Sequence, residues 1–278
     1  MRAARGRVLI IAGSDPSGGA GVQGDIRTVT ALAGYASAAI TALTVQNSLG
    51  VTAVRPVAPA LVADQVRAVL DDIGADAVKI GMLCDAGIVR AVTEALASFG
   101  GPVVIDPVLV STSGAVLLDE AGVEILRAGL LPRAALLTPN ALEAERLTGL
   151  AVRTTDDLRR AGASLLSLGA AAVLMKGGHV EGETVCDVLM TKERERVFES
   201  PRVASRHTHG TGCALASAAA CGLAQGLALE AAVARAHAYV AEAIRSAPGF
   251  GAGAGPIGLG IADQDGLRHA PVDRGRLR

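Results

Sequence analysis

The sequence predicts an α/β protein of three layers, α/β/α, in which a mostly parallel central sheet is flanked by helices and carries a small antiparallel hairpin. Three observations support this. Short aliphatic runs alternate with longer segments of helical period from Val8 to Ile244, the pattern of parallel strands joined by crossover helices. The hydrophobic half of the chain is almost wholly aliphatic, with 0 Trp, 2 Tyr and 3 Phe, which suits strands buried on both faces. No linker-like stretch interrupts the alternation, so residues 1–260 read as one domain. The polar, Pro/Gly-punctuated segment 261–278 reads as a disordered tail.

In order, Val8–Ala12 is a buried strand, Ser14–Gly21 a Gly/Ser/Asp/Pro loop and Val22–Leu32 a helix. Ala38–Val45 is a second strand and Val51–Val57 a further one, with Pro56 and Pro59 at its exit. Val62, Val66, Val69, Leu70 and Ile73 recur at helical spacing, predicting a helix over 61–73. Strand Ala77–Ile80, helix Asp85–Phe99 and strand Val103–Ile105 follow. The loop Ser111–Gly114 is small and polar enough to move as a flap. Then come a helix near Glu120–Ala128, strand Ala134–Leu137, helices Asn140–Thr148 and Thr154–Leu168, and strand Ala171–Met175. Thr184–Met190 and Arg196–Phe198 form the hairpin, and helices after Cys213 and over Leu229–Ile244 close the fold. The last has a broad apolar stripe.

Charge and composition narrow the function. A net charge of −1 gives no basic excess for gripping nucleic acid, and scarce aromatics leave no stacking platform for single strands. The apolar run Val8–Ala12 is too short for a signal h-region or a membrane span. The chain is therefore expected in the cytoplasm, with Cys84, Cys186, Cys213 and Cys221 as free thiols.

Gly19-x-Gly21-x-x-Gly24 matches a dinucleotide fingerprint literally but not in context. Several loop residues separate it from the strand, and no Asp or Glu lies between Ile26 and Ala63 to hold a ribose. No Walker loop is present. His207, His209 and Cys213 do not have a common zinc spacing.

The stretch His209-Gly210-Thr211-Gly212-Cys213 runs into the apolar segment Ala214–Leu227. It reads either as an ordinary glycine-rich turn or as an anion site, since a helix N-terminus offers unpaired N–H groups and a positive dipole end. The predicted strand ends add Gly13-Ser14-Asp15, Gln46-Asn47, Lys79-Ile80-Gly81-Met82, Asp106, Asn140 with Glu143, and Lys176-Gly177-Gly178. Singly these have plain readings: a helix cap for Asn140, a turn for Asp106, a solvated Lys176. Together they supply an amide, a cation, two carboxylates and an anion-binding helix end, the parts that phosphoryl transfer uses.

The sequence resembles the hydroxymethylpyrimidine/phosphomethylpyrimidine kinases of thiamine biosynthesis, members of the ribokinase-like fold. The resemblance runs from about Val8 to Gly258. It rests on the segment 11–25, Thr41–Asn47, Lys79–Met82, Ile105–Val108, Thr138–Asn140, Leu174–His179 and His209–Cys213, in that order. Gly24 stands where alanine is usual, and 251–260 is unusually glycine-rich. The resemblance implies that Gln46 reads the pyrimidine edge, with Gly13, Asp25, Met82 and Val108 shaping the substrate pocket. It implies ATP and Mg²⁺ at Asn140, Glu143 and Lys176, with Asp106 and Glu143 near the metal, and an anion hole at Gly210, Thr211 and Gly212. It also implies a homodimer.

The implied reaction phosphorylates a hydroxymethyl group and then the resulting monophosphate. Cys213 occupies the place of the aspartate base of most related sugar kinases, and at a helix N-terminus its thiol is expected to have a lowered pKa. The nearest alternative is a pyridoxal kinase of the same superfamily. A more distant one is a non-catalytic protein that senses a pyrimidine. Gln46 favours the aminopyrimidine, because an amide both donates to and accepts from its edge.

Overall fold

The computed structural model describes residues 6–110, 114, 116–179 and 182–260. The expected tail at 261–278, and the expected flap at 111–114 apart from Gly114, lie outside the described residues. The elements are β1 (Arg7–Ser14), α1 (Gly21–Ala31), β2 (Tyr35–Asn47), β3 (Gly50–Pro56), α2 (Pro59–Ala68), β4 (Ala77–Ile80), α3 (Ala86–Ala95) and β5 (Val103–Ile105). They continue with α4 (Glu120–Ile125), β6 (Ala134–Leu137), α5 (Ala141–Thr148), α6 (Thr155–Ser167), β7 (Ala172–Met175), β8 (Thr184–Thr191), β9 (Glu195–Pro201), α7 (Thr211–Ala224) and α8 (Leu229–Arg245).

The strands form one nine-stranded sheet in the order β3-β2-β1-β4-β5-β6-β7-β8-β9. From β2 to β7 neighbours are parallel. The expected hairpin β8–β9 continues one edge antiparallel to β7. The other edge is also antiparallel, because β3 folds back on β2. Alternating side chains divide the core between the two faces, as the pleat requires. Leu9, Ile11, Val78 and Ile80 pack against residues of α2 to α6. Val8, Ile10, Val104 and Leu174 pack against α1, α7 and α8. The three-layer prediction holds.

Boundaries moved where backbone geometry overrode side-chain period. The helix expected over 61–73 begins at Pro59, a residue suited to the first turn, and leaves α-geometry after Ala68 in a π-turn, Val69–Ile73. A second π-turn, Leu126–Leu130, ends the helix expected near 120–128. The helix expected over 85–99 is shorter, with Asp85 capping it through Ile88 N–H and Ala95 its last residue. Helix α7 starts before Cys213, not after it. Gly210 caps it at φ +91°, and a Cβ there would lie 1.9 Å from the Gly19 carbonyl oxygen. Only glycine fits that approach, and it places Cys213 in the first helical turn.

Candidate active site

The sheet reverses its direction of winding between β1 and β4, whose neighbours lie on opposite sides. Open parallel sheets bind ligands beside the carboxyl ends of strands at such a point. A cavity of about 660 Å³ opens there. Gly13, Gln46, Met82, Asp106 and Val108 reach it from the ends of β1, β2, β4 and β5. Asn140, Glu143, Lys176 and the loop Gly210, Thr211, Gly212 and Cys213 line its remaining walls. All but one of the sequence-predicted site residues therefore meet around one cavity. The exception is Asp25, which does not line it.

Asp25 lies beneath the cavity, fully buried in α1. Its Oδ2 accepts from Lys79 Nζ at 2.7 Å and its Oδ1 from Ser217 Oγ at 2.7 Å. Desolvation raises the carboxyl's pKa, opposed by Lys79 and Ser217. Desolvation would also strip the proton from Lys79, but the charges of Asp25 and Asp106 outweigh it and raise the pKa. Lys79 thus stays an ammonium with no exposed surface beside the cavity it lines. Sequence reasoning saw Lys79 at a strand end but assigned it no role.

A second charge cluster joins β5, β6, α5 and β7. Lys176 Nζ donates to Asp106 Oδ1 at 2.8 Å and sits 3.7 Å from Glu143 Oε2. Thr138 Oγ1 also donates to Asp106 Oδ1, at 3.2 Å. Burial alone would raise the Asp106 pKa, but Lys176, Lys79 and these hydrogen bonds lower it. Asn140 and Glu143 form a reciprocal capping box at the start of α5, so the capping reading of Asn140 holds alongside its place in the cavity wall. Burial, with Asp106 adding its charge, pushes Glu143 up to about 7 despite Lys176. The lysine's own loop is fixed by Gly177 N–H donating to Asp187 Oδ1 at 2.8 Å.

Cys213 corrects one expectation. Its thiol is not acidified: desolvation, together with the charges of Asp25 and Asp106, pushes its pKa up to about 12, although Lys79 and a hydrogen bond from the Gly21 N–H act the other way. The helix terminus is present, but the side chain stands among protein atoms and two carboxylates. Cys213 is therefore a neutral thiol at neutral pH.

The first loop adds residues that sequence reasoning placed but did not connect. Asp15 Oδ2 accepts from Ser17 Oγ, Ala20 N–H and His209 Nε2, at 2.9, 2.9 and 2.7 Å. Burial opposes ionisation of Asp15, but the His209 and Ser17 bonds lower its pKa. His209 also approaches Gln46 at 3.3 Å.

Two ammonium groups, a helix N-terminus and carboxylates around one cavity define a small-molecule phosphotransferase. The sequence model of the family described as "Phosphomethylpyrimidine kinase" matches residues 15–258, and the chain belongs to that family. It is 46% identical over 255 residues to the Hydroxymethylpyrimidine/phosphomethylpyrimidine kinase of Streptomyces coelicolor, covering 92% of this chain and 94% of that one. It is 47% identical to the "Thiamine biosynthesis bifunctional protein ThiED" of Geobacter sulfurreducens, covering 94% of this chain but only 54% of that longer protein. A solved ADP complex of Bacillus subtilis pyridoxal kinase superposes with a TM-score of 0.86 at 32% identity, over 92% of this chain and 97% of that one.

The buried ion pair yields a stability prediction. Lys79→Met leaves the Asp25 charge unpaired and costs about 3–5 kcal/mol in denaturant unfolding. Joint replacement, Lys79→Met with Asp25→Leu, recovers most of that loss while abolishing phosphoryl transfer. A single variant as stable as the parent would show that the pair is not ionised.

Proposed function

We propose that this kinase transfers phosphate from ATP to 4-amino-5-hydroxymethyl-2-methylpyrimidine and then to the monophosphate formed, in thiamine biosynthesis. The observation carrying this reading is the convergence of Gln46, Lys79, Lys176, Cys213 and the Gly210–Gly212 backbone on one cavity. The greater identity to pyrimidine kinases than to pyridoxal kinase favours the aminopyrimidine. Gln46 donates to and accepts from its ring edge, with Gly13, Met82 and Val108 against the ring. Asp25 acts from below through Lys79.

ATP lies with its phosphates toward Lys176 and Asn140. Asp106 Oδ2 and Glu143 Oε1 accept no hydrogen bond among the described residues. Two such carboxylate oxygens fit Mg²⁺, which is held largely by water and substrate phosphates and needs few protein ligands. When bound, the ion neutralises charge on the triphosphate. Lys176 and Lys79 supply fixed positive charge, and the first-turn N–H groups of α7 receive the moving phosphoryl group.

Phosphoryl transfer has a loose transition state, so the acceptor's proton need not leave early. A neutral Cys213 suits both acceptors. Its thiol keeps its own proton and takes none: the hydroxymethyl proton passes to an oxygen of the phosphoryl group as the new P–O bond forms, and no negative charge stands against the anionic phosphate acceptor of the second step. No described helix is long and apolar enough to cross a membrane, in keeping with a cytoplasmic enzyme. Exposed Leu43, Val45 and Leu49 on the β2–β3 edge support the homodimer.

A coupled assay of ATP consumption with hydroxymethylpyrimidine, its monophosphate and pyridoxal tests the reading. The two pyrimidines are expected to dominate, and a dominant pyridoxal signal would overturn the substrate assignment. Cys213→Ala, which also places no charge there, should spare the second step, whereas Cys213→Asp should depress it. Equal turnover of the monophosphate by Cys213→Asp and the parent would refute the charge argument.

Glu143 gives a pH signature. Its folded-state pKa of about 7 lies above its ordinary 4.5. The associated stability is fully present below about 4.5 and is lost as pH rises through about 7. Protonation also removes a charge from the ATP side, so the KM for MgATP should climb as pH falls below about 7. In Glu143→Gln both slopes should flatten, as read by pH-dependent melts and steady-state kinetics.

A further inference from the structure

The contacts of Gln46 contain two conflicts with one resolution. Every partner of Asp15 is a donor: Ser17 N–H and Oγ, Ala20 N–H and His209 Nε2. An ionised carboxylate only accepts, so His209 Nε2 carries its hydrogen and directs it at Asp15 Oδ2. With the Gln46 amide nitrogen 3.3 Å from that same Nε2, two donors face each other. At the other end of the amide, Oε1 lies 3.2 Å from Thr44 Oγ1. That hydroxyl has one hydrogen, and the carbonyl oxygen of Ser14 takes it at 2.9 Å. Two acceptors therefore meet there.

Oxygen and nitrogen of a carboxamide are nearly isosteric, and the hydrogen-bond network decides which is which. A half-turn of the Gln46 amide removes both conflicts at once. Oε1 then shares the His209 Nε2–H, and the NH₂ group donates to the Thr44 hydroxyl.

We propose that Asp15 and His209 are positioning residues that lock the Gln46 carboxamide with its oxygen on the His209 side and its nitrogen on the Thr44 side. The inference rests on Gln46 reading the pyrimidine edge, and it deepens that reading. A 4-aminopyrimidine presents a ring-nitrogen acceptor beside an amino donor. A freely rotating amide would accept this edge in either of two orientations, related by turning the ring over. The locked amide accepts one, with the amino group toward His209. The hydroxymethyl group is attached next to the amino-bearing carbon, so this orientation carries it toward Gly210–Cys213, which follow His209 directly in the chain. The backbone holds His209 in place: its N–H donates to the Gly255 carbonyl at 3.1 Å, and its carbonyl accepts from Ile257 N–H at 3.4 Å.

The experiment compares the 4-amino substrate with its 4-oxo counterpart, whose ring N–H and carbonyl reverse the pattern. The parent should favour the amino compound in kcat/KM. In His209→Phe the amino-to-oxo ratio should fall about tenfold or more, through a raised KM for the amino compound and a gain on the oxo compound, with the KM for ATP unchanged. His209→Gln, which restores an N–H at the same reach, should recover the ratio. An unchanged ratio in an active His209→Phe enzyme overturns the lock. Nitrogen-15 NMR of the parent protein provides a measurement independent of folding of the variants and of the substrate assignment: Nε2 must be protonated, and a bare Nε2 overturns the proposal. If the parent turns over neither pyrimidine, the functional reading fails, while the NMR result still decides the lock.

Discussion

The buried pair Lys79–Asp25 ties together the elements beneath the cavity. Asp25 belongs to α1, Lys79 to β4 and Ser217 to α7, and all three side chains are fully buried. Two charges withdrawn from water cost several kcal/mol each, so such a pair gives little net stability compared with apolar packing. What it provides is position. The ammonium group is held beside the first turn of α7 by a carboxylate that does not line the cavity, so its charge is directed at whatever binds above it. In the dry floor of a sheet that charge is screened far less than at a surface.

The remaining charges follow from this floor. Lys176 bonds to Asp106 and is approached by Glu143, so this one cation draws two carboxylates toward one point. Burial, with the Asp106 charge beside it, pushes Glu143 up to about 7. A third carboxylate at position 213 would stand near Asp25 and Asp106 as well, the same groups that hold the Cys213 proton in place. A thiol avoids that repulsion. The local charge balance, not an acidified base, explains why cysteine suits a site with two acceptors of different charge.

The parallel strands were legible because each is a short aliphatic run closed by Gly, Pro or a polar residue: Ala77–Ile80, Val103–Ile105 and Ala134–Leu137 have the same bounds in sequence and structure. Their carboxyl ends named most of the cavity wall. The π-turns after Ala68 and Ile125 were not legible, since side-chain periodicity does not report a shift of backbone hydrogen bonding. Nor was the environment of Cys213 visible: a helix N-terminus can be read from glycines, but the desolvation and carboxylates that reverse its effect come from remote segments. The Asp15–His209 bond joins residues 194 apart. The signal available was an acidic residue in the first Gly/Ser loop and a histidine before the anion turn, with nothing local to pair them.

Glycines that imitate a nucleotide fingerprint have a different purpose here. A Cβ on Gly19 would come within 2.7 Å of His209 Cδ2 and 2.9 Å of Pro256 Cβ. The missing side chain is what lets the first loop lie directly against the anion turn, just as the left-handed Gly210 accepts the Gly19 carbonyl from the other side. The close approach brings Asp15 to His209, and His209 to Gln46. The Asp15–His209–Gln46 contacts and the Gly210 turn are therefore parts of one packed contact between two loops, and a side chain at either glycine would disturb both together.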